Sequence, residues 1–159
     1  MTRLASLSTS KRLVDRSTRN RGLYDGSHIV MPELHEWWLK FQRAAAKVDV
    51  PLRVVWGYRD KSTQDALHAS GNSQLRFPES AHNRGYALDI IHTTRAWDGM
   101  SAADWLLLGT TGLEVARQCN LPLTWGGNWR SDWDNIPPQS GWDCAHWEVT
   151  DYRKLPILS

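Results

Sequence analysis

Cysteine is scarce in this chain of 159 residues, and only Cys119 and Cys144 are present. Two cysteines provide no disulfide framework and cannot build a structural zinc site of four thiolates. Long apolar runs are also missing: no stretch of about 18 apolar residues occurs, so no membrane span is predicted. No apolar segment of the kind found in secretory signals follows the basic N-terminus, so we expect a chain without a signal peptide.

Acidic residues are nearly absent from the first 21 residues, which contain six basic side chains and only Asp15 as an acid. We expect residues 1–30 to form a basic arm, packed or partly flexible, ahead of a single domain at 31–159. Contact of residues 1–21 with an anionic envelope is a hypothesis. The basic residues lack the interleaved aromatics of a single-strand groove, so no nucleic-acid partner is predicted.

The spacing of apolar residues, which make up 41% of the chain, predicts short elements of both kinds. Apolar residues three and four apart between Pro32 and Val48 predict an amphipathic helix. Capping-box patterns at 62–65 and 101–104 predict two more helices. Strands are predicted at 52–56, 86–91, 121–125 and 145–149, and loops at 70–81 and 126–141. The pattern predicts an α+β domain with a small, mostly antiparallel sheet flanked by helices.

Two imidazoles and two carboxylates form the most informative group of side chains. His82 and Asp89 are seven residues apart with Gly85 between them, and Asp89 lies in an apolar predicted strand. A carboxylate there needs an ion pair, hydrogen bonds or a metal. His146 follows far downstream, three residues after Asp143. We predict one Zn²⁺ per chain, in a cleft on the sheet, bound by His82, Asp89 and His146, because three protein ligands leave the open position that catalytic zinc requires.

The remaining polar residues near these ligands have predicted roles in hydrolysis. Asp143 is predicted as the general base that takes a proton from water. Glu148, two residues after His146, competes for that role, but we interpret it as the acceptor that holds an imidazole. Arg59, at the end of a predicted strand, is expected to bind a substrate carboxylate or a developing oxyanion. Ser80 is interpreted as a hydrogen-bond donor to substrate.

Ten tryptophans are unusual for this length, and most are expected in the core. Those between residues 125 and 147 lie among Gly, Asn and Pro, so part of them can line a cleft. Trp125 and Trp129 are the candidates for substrate contact. A thiol nucleophile at Cys144 is a competing interpretation, but no nearby basic cluster would lower its pKa.

Several short motifs of the chain resemble those of the LAS-type zinc peptidases. They are Trp56-Gly-Tyr-Arg59, Ser80-x-His82-x-x-Gly85-x-Ala87-x-Asp89-Ile90, Trp125-Gly-Gly-Asn-Trp129 and Asp143-x-x-His146-x-Glu148. This family includes D-alanyl-D-alanine carboxypeptidases and the L-alanyl-D-glutamate endopeptidases of phage lysins, and the resemblance spans roughly residues 32–150. It implies zinc on the His–Asp–His set, and it implies that Arg59 and Ser80 face the substrate. An Asp in the base position and the Trp-Gly-Gly-x-Trp element favour the endopeptidase branch.

The resemblance implies a monomeric endolysin that cleaves the L-Ala–D-Glu bond of peptidoglycan stem peptides. Such a protein would remain in the host cytoplasm until its release to the wall. A D-alanyl-D-alanine carboxypeptidase of the same family and a non-catalytic wall-binding module are the alternatives. Ala145 and Trp147 stand where the endopeptidase branch commonly has Pro and Phe, and Asn128 replaces a frequent Asp. These departures concern the shape of the substrate groove rather than the metal ligands.

Overall fold

The computed structural model describes residues 30–129 and 143–158, whose helices and strands form one small α+β domain. The helices are α1 Pro32–Ala46, α2 Lys61–Ala69 and α3 Ala102–Gln118, and the strands are β1 Leu52–Trp56, β2 Ala87–His92, β3 Leu123–Trp125 and β4 His146–Val149. The predicted fold class is thereby confirmed. The basic arm, and the predicted loop beyond residue 129, lie outside the described residues. Within the described ranges no helix is long and apolar enough to cross a membrane.

The four strands form one antiparallel sheet in the order β1-β2-β4-β3. All six residues of the central strand β2 are buried. The register places Asp89 of β2 opposite His146 of β4 on one side and opposite Trp56 of β1 on the other. An irregularity between Val54 and Trp56 shifts the register of β1 just before the chain leaves the sheet. Residues distant in sequence therefore meet at the middle of the sheet.

Tryptophan rings fill the space between the sheet and helices α1 and α3. The ring of Trp37 lies 4.9 Å from the ring of Trp147, and its Nε1 donates a hydrogen bond of 2.9 Å to the carbonyl of Gly112. A Cβ atom at Gly112 would come within 2.4 Å of the Trp147 ring. Glycine therefore allows α3 to pack directly on the indole, at the cost of a lower helix propensity. A buried indole removes about 200 Å² from water, so this cluster stabilises the strand that carries His146.

The helix starts agree with the sequence patterns at α3 but not at α2. Ser101 and Asp104 form the predicted capping box, with each side chain accepting the main-chain N–H of the other. At α2 the cap is Asp60, whose carboxylate accepts from the N–H of Thr63 at 2.8 Å. The predicted box beginning at Ser62 is therefore wrong by two residues. Aspartate caps a helix as well as serine does, and Asp60 is the last residue with extended backbone before the helix.

Candidate metal centre

Three segments bring His82, Asp89 and His146 together. His82 lies in the 3₁₀ helix Ala81–Arg84, which ends at Gly85 with a left-handed φ of 83°. Glycine adopts this conformation without the penalty that a side chain brings, and β2 begins two residues later. Asp89 lies in the middle of β2, and His146 begins β4 directly opposite. The turn at Gly85 and the strand register together place all three side chains on one buried spot.

Three ligand-type atoms converge at this spot. Asp89 Oδ1 lies 3.1 Å from His82 Nε2 and 3.0 Å from His146 Nδ1, and the two ring nitrogens are 3.2 Å apart. These separations are close to the roughly 3.3 Å edge of a tetrahedron with metal–ligand bonds of about 2.0 Å. All three residues are buried, and together they could hold a metal ion.

The outer nitrogen of each imidazole is occupied by a hydrogen-bond acceptor. His82 Nδ1 donates to the carbonyl of Gly57 at 2.8 Å, and His146 Nε2 donates to Glu148 Oε2 at 2.8 Å. In the neutral rings the inner nitrogens therefore present lone pairs to each other and to the Asp89 carboxylate. Two lone pairs and an anion within 3.2 Å of one another form an arrangement that a cation stabilises. The donor set accordingly fits a divalent metal such as zinc.

The pKa values of all three side chains are shifted from their ordinary values by burial and by one another. Burial alone would raise the pKa of Asp89, but the two imidazoles lower it well below its usual range. Burial lowers the pKa of His82. Burial also acts to lower the pKa of His146, but its hydrogen bonds to Asp89 and Glu148 raise that pKa to about 10. One proton is thus held where a metal would sit, and a metal must displace it.

Arg59 lies beside the ligand set and is committed to it. Its Nη2 donates to Asp89 Oδ2 at 2.9 Å, while Oδ1 of the same carboxylate faces the histidines. The guanidinium carbon lies 5.1 Å from the centre of the Trp56 ring. Desolvation by burial lowers the pKa of Arg59 despite the nearby Asp89 and Asp143. Its buried Nε atom has no hydrogen-bond partner among the described residues. Arg59 therefore orients Asp89 and still has donor capacity left.

Asp143 lies just before β4, where its main-chain oxygen accepts from the N–H of His146 at 3.0 Å. Burial, followed by the charge of Asp89, raises the pKa of the Asp143 carboxyl to about 6. A Cβ atom at Gly126 would come within 2.1 Å of the Asp143 carbonyl oxygen, so glycine is required for this approach. The neighbouring thiol of Cys144 has its pKa raised to about 11 by burial and by Asp143, which disfavours the competing thiol nucleophile.

The site opens into a cavity of about 550 Å³. Ser80, Trp129, Asp143 and Glu148 all line it, as do Arg59 and both histidines. Trp129 is 48% exposed, and its ring lies 5.2 Å from the ring of His146. The hydroxyl oxygen of Ser80 accepts from the N–H of His82 at 3.3 Å, which leaves its proton for another acceptor.

Trp125 is placed differently from its sequence interpretation. The residue is only 1% exposed and is not among the described residues that line the cavity. Its Nε1 donates to the carbonyl of Cys144 at 2.7 Å, and its ring stacks on Trp147 with centroids 5.9 Å apart. The expected substrate contact is corrected here: the indole is a core group beneath the segment that carries Asp143. The ring of Trp125 is buried rather than exposed in the cavity because neighbouring glycines, including Gly109, make room for it.

One cavity wall was not anticipated from the sequence. It contains residues 72–75, within the predicted loop, and the first two residues of the turn Tyr152–Lys154, Tyr152 and Arg153. The fully buried Gln64 holds this wall: its Nε2 donates to Ser73 Oγ at 2.9 Å and to the carbonyl of Leu75 at 2.7 Å. Its Oε1 accepts from Asn83 at 3.3 Å, beside His82. The sequence signal for this wall was Gln64 itself, a polar residue on the inner face of the short helix α2.

Comparison with known proteins yields a structural likeness. No family model matches the chain, and no curated protein matches it. The crystal structure of the Serratia marcescens L-Ala D-Glu endopeptidase ChiX superposes with a TM-score of 0.58 at 23% sequence identity. The match covers 79% of this chain and 83% of the ChiX chain. At this identity the likeness establishes a shared fold.

Proposed function

We propose that the chain is a zinc-dependent endopeptidase that hydrolyses the L-Ala–D-Glu bond of peptidoglycan stem peptides. The observation that carries the proposal is the pair of inward-facing ring nitrogens beside Asp89, at the edge of a cavity that also contains Asp143. The shared fold with the endopeptidase ChiX and the motif resemblance of the sequence point in the same direction.

His82, Asp89 and His146 would hold the zinc. When bound, zinc supplies a Lewis acid for the scissile carbonyl and lowers the pKa of water. The chain prepares this position before any metal arrives. Glu148 fixes the tautomer of His146, and Arg59 occupies Asp89 Oδ2 so that Oδ1 faces the two rings.

Asp143 is the proposed general base. Its carboxylate would accept a proton from the attacking water and then protonate the leaving amine, as a single residue can do in the two halves of peptide hydrolysis. A pKa raised to about 6 by burial suits this exchange, because the group is ionised at neutral pH and still a useful proton acceptor. The hydrogen bond from the His146 N–H to its carbonyl fixes its position relative to the ligands.

Arg59, Ser80 and Trp129 are the proposed substrate contacts. Arg59 lines the cavity and has guanidinium N–H groups beyond the one given to Asp89, and these would bind the carbonyl oxygen as negative charge develops on it. The Ser80 hydroxyl proton can be donated to a peptide carbonyl in the cavity. The exposed face of Trp129 offers an apolar surface to the side chains of the stem.

Digestion of purified peptidoglycan tests this proposal. We expect the zinc-loaded protein to release fragments with new L-Ala carboxyl termini, detected by mass spectrometry, and a chelator to stop the release. Release of D-Ala instead would identify the carboxypeptidase alternative. Wall binding without any new terminus would favour the non-catalytic module.

The matched variant is Asp143→Asn, which keeps the shape and removes the base. We expect it to bind zinc like the parent chain and to lose about 10²–10⁴-fold in turnover. Equal loss of zinc and turnover would instead make Asp143 a ligand. Equal turnover by variant and parent would require another base, and Glu148 would then be the next candidate.

We further propose that the chain acts as a monomeric phage-type endolysin that reaches the wall after release from the cytoplasm. The motif resemblance supports this role, and the basic residues within 1–21 would attract the anionic envelope. Removing residues 1–21 should weaken lysis of intact cells and flatten its dependence on salt concentration, with cleavage of soluble peptides unchanged. Unchanged lysis at every salt concentration would rule out the envelope contact.

A further inference from the structure

Arg153 occupies the wall of the cavity contributed by the turn Tyr152–Lys154. Its guanidinium carbon lies 4.8 Å from the centre of the Tyr152 ring. The Tyr152 hydroxyl donates to the carbonyl of Glu79 at 2.9 Å, and Arg84 donates to the carbonyl of Arg153 at 3.4 Å. The ring and these two bonds hold the turn in place and place the guanidinium at the edge of the cavity.

Among the described residues, Arg153 differs from Arg59 and Lys154 in having no ion pair. Arg59 is paired with Asp89 at 2.9 Å, and Lys154 is paired with Asp151 at 3.2 Å. Within residues 30–129 and 143–158, no carboxylate lies within ion-pair distance of Arg153. An arginine packed on an aromatic ring keeps its planar set of N–H donors available for a carboxylate.

Neither of the described carboxylates that line the cavity near the metal ligands, Asp143 and Glu148, forms an ion pair with Arg153. Glu148 is engaged by His146 at 2.8 Å, and Asp143 lies on the side of the metal ligands. The guanidinium of Arg153 is therefore available to an anion of the substrate. The proposed substrate has one beside the scissile bond, because D-Glu continues the stem through its side-chain carboxyl and keeps its α-carboxylate ionised.

We propose that Arg153 is a specificity-determining residue that binds a carboxylate of the stem peptide on the leaving-group side of the scissile bond. The inference rests on the proposed function and assigns separate binding roles to two arginines. Arg59 serves the reacting carbonyl, and Arg153 selects stems that carry the carboxylate. Stems in which that carboxylate is amidated are poorer substrates.

The test compares three synthetic peptides of sequence L-Ala-γ-D-Glu-L-Lys-D-Ala. One has all carboxylates ionised, one carries an amide in place of the D-Glu α-carboxylate, and one carries an amide at the C-terminus. We expect the parent chain to lose roughly tenfold in kcat/KM on the D-Glu amide, the size of a charge-assisted contact. A loss on the C-terminal amide instead would place the contact further along the stem.

Arg153→Gln should abolish the discrimination and lower kcat/KM only on the ionised peptide, and Arg153→Lys should restore part of it. Lys154→Gln is the matched control, since it removes one adjacent positive charge that does not line the cavity. Discrimination that survives Arg153→Gln, or equal cleavage of all peptides by the parent chain, would overturn this inference alone. Failure to cleave any of them would overturn the proposed function as well.

A binding measurement separates recognition from turnover. In the Asp143→Asn background, calorimetry should give a roughly tenfold weaker Kd for the amidated peptide than for the ionised one. Adding Arg153→Gln should bring the two Kd values together. Equal Kd values before that second change would contradict the assignment.

Discussion

Hydrogen bonds to the outer nitrogens decide which atoms of the two imidazoles are offered to a metal. Glu148 accepts from His146 Nε2, and the carbonyl of Gly57 accepts from His82 Nδ1. A carboxylate partner also makes the ring more basic and a better ligand than a carbonyl partner does. At the scale of single residues, His146 is therefore the more strongly supported of the two histidines.

Replacing Glu148 by Gln should weaken zinc binding by about tenfold, because the ring keeps an acceptor but loses the negative charge. Competition with a fluorescent chelator measures the affinity. Glu114→Gln is the control, since Glu114 is an exposed residue of α3 paired with Arg117. Unchanged zinc affinity in Glu148→Gln would mean that Glu148 does not support the ligand.

The pH dependence of turnover should follow Asp143. A base acts as its carboxylate, so activity is present above the pKa and is lost as the pH falls through it. Burial raises this pKa to about 6 in the metal-free protein, and a bound divalent cation would lower it. We expect the acid limb of kcat/KM at or below pH about 6, with no such limb in Asp143→Asn. An acid limb well above that pH would assign it to another group.

At the scale of elements, the approach of the 3₁₀ helix Gly126–Trp129 to the start of β4 sets the position of Asp143, the proposed base. Gly126 lies so close to the carbonyl of Asp143 that a side chain would not fit. A Cβ atom built at Gly126 would also lie only 3.2 Å from the Cβ of His146. Gly126, a small residue outside the strand, thus aligns the proposed base Asp143 with the proposed ligand His146.

Gly126→Ala should therefore displace Asp143 and reduce kcat by at least about tenfold, since catalysis is sensitive to misplacement on the scale of 1 Å. Steady-state kinetics and urea unfolding measure activity and stability separately. Gly71→Ala is the control: its φ of 79° makes alanine strained, but no atom lies within 4 Å of the new Cβ. It should lose stability and keep kcat, whereas full activity in Gly126→Ala would dismiss the alignment.

Sequence patterns predict the elements well because their signals are local. The spacing of α1 and the capping box of α3 are visible in the chain, and the sheet follows from the short β-rich runs. The roles of Gly57 and Arg153 could not be predicted, because a main-chain carbonyl has no residue signature and an exposed arginine resembles any surface charge. The predicted substrate contact of Trp125 failed for a related reason. A glycine-rich neighbourhood can either open a cleft or make room for a buried ring, and the sequence does not distinguish the two.

At the scale of the whole molecule, we expect zinc binding to stabilise the folded protein in addition to its proposed role in catalysis. A ligand at one hundred times its Kd contributes about 2.7 kcal/mol to the free energy of unfolding. For a chain of this size that corresponds to a rise of roughly 5–10 °C in Tm. Thermal unfolding with zinc and with chelator measures the shift. His82→Asn should abolish it, and Arg153→Gln should retain it; no shift in the parent chain would argue against a structural contribution of the metal.

Because Asp89 pairs with His146 across β2 and β4, the proposed metal site can form only when these two strands are in the correct register. Sliding β4 by a single residue would carry the imidazole to the reverse side of the sheet and scatter the three ligands. A chain with this misalignment could retain its helices and much of its hydrophobic packing, yet it would not bind the metal. We therefore expect zinc uptake during refolding to report the alignment of the strands, which a measure of secondary-structure content would not report.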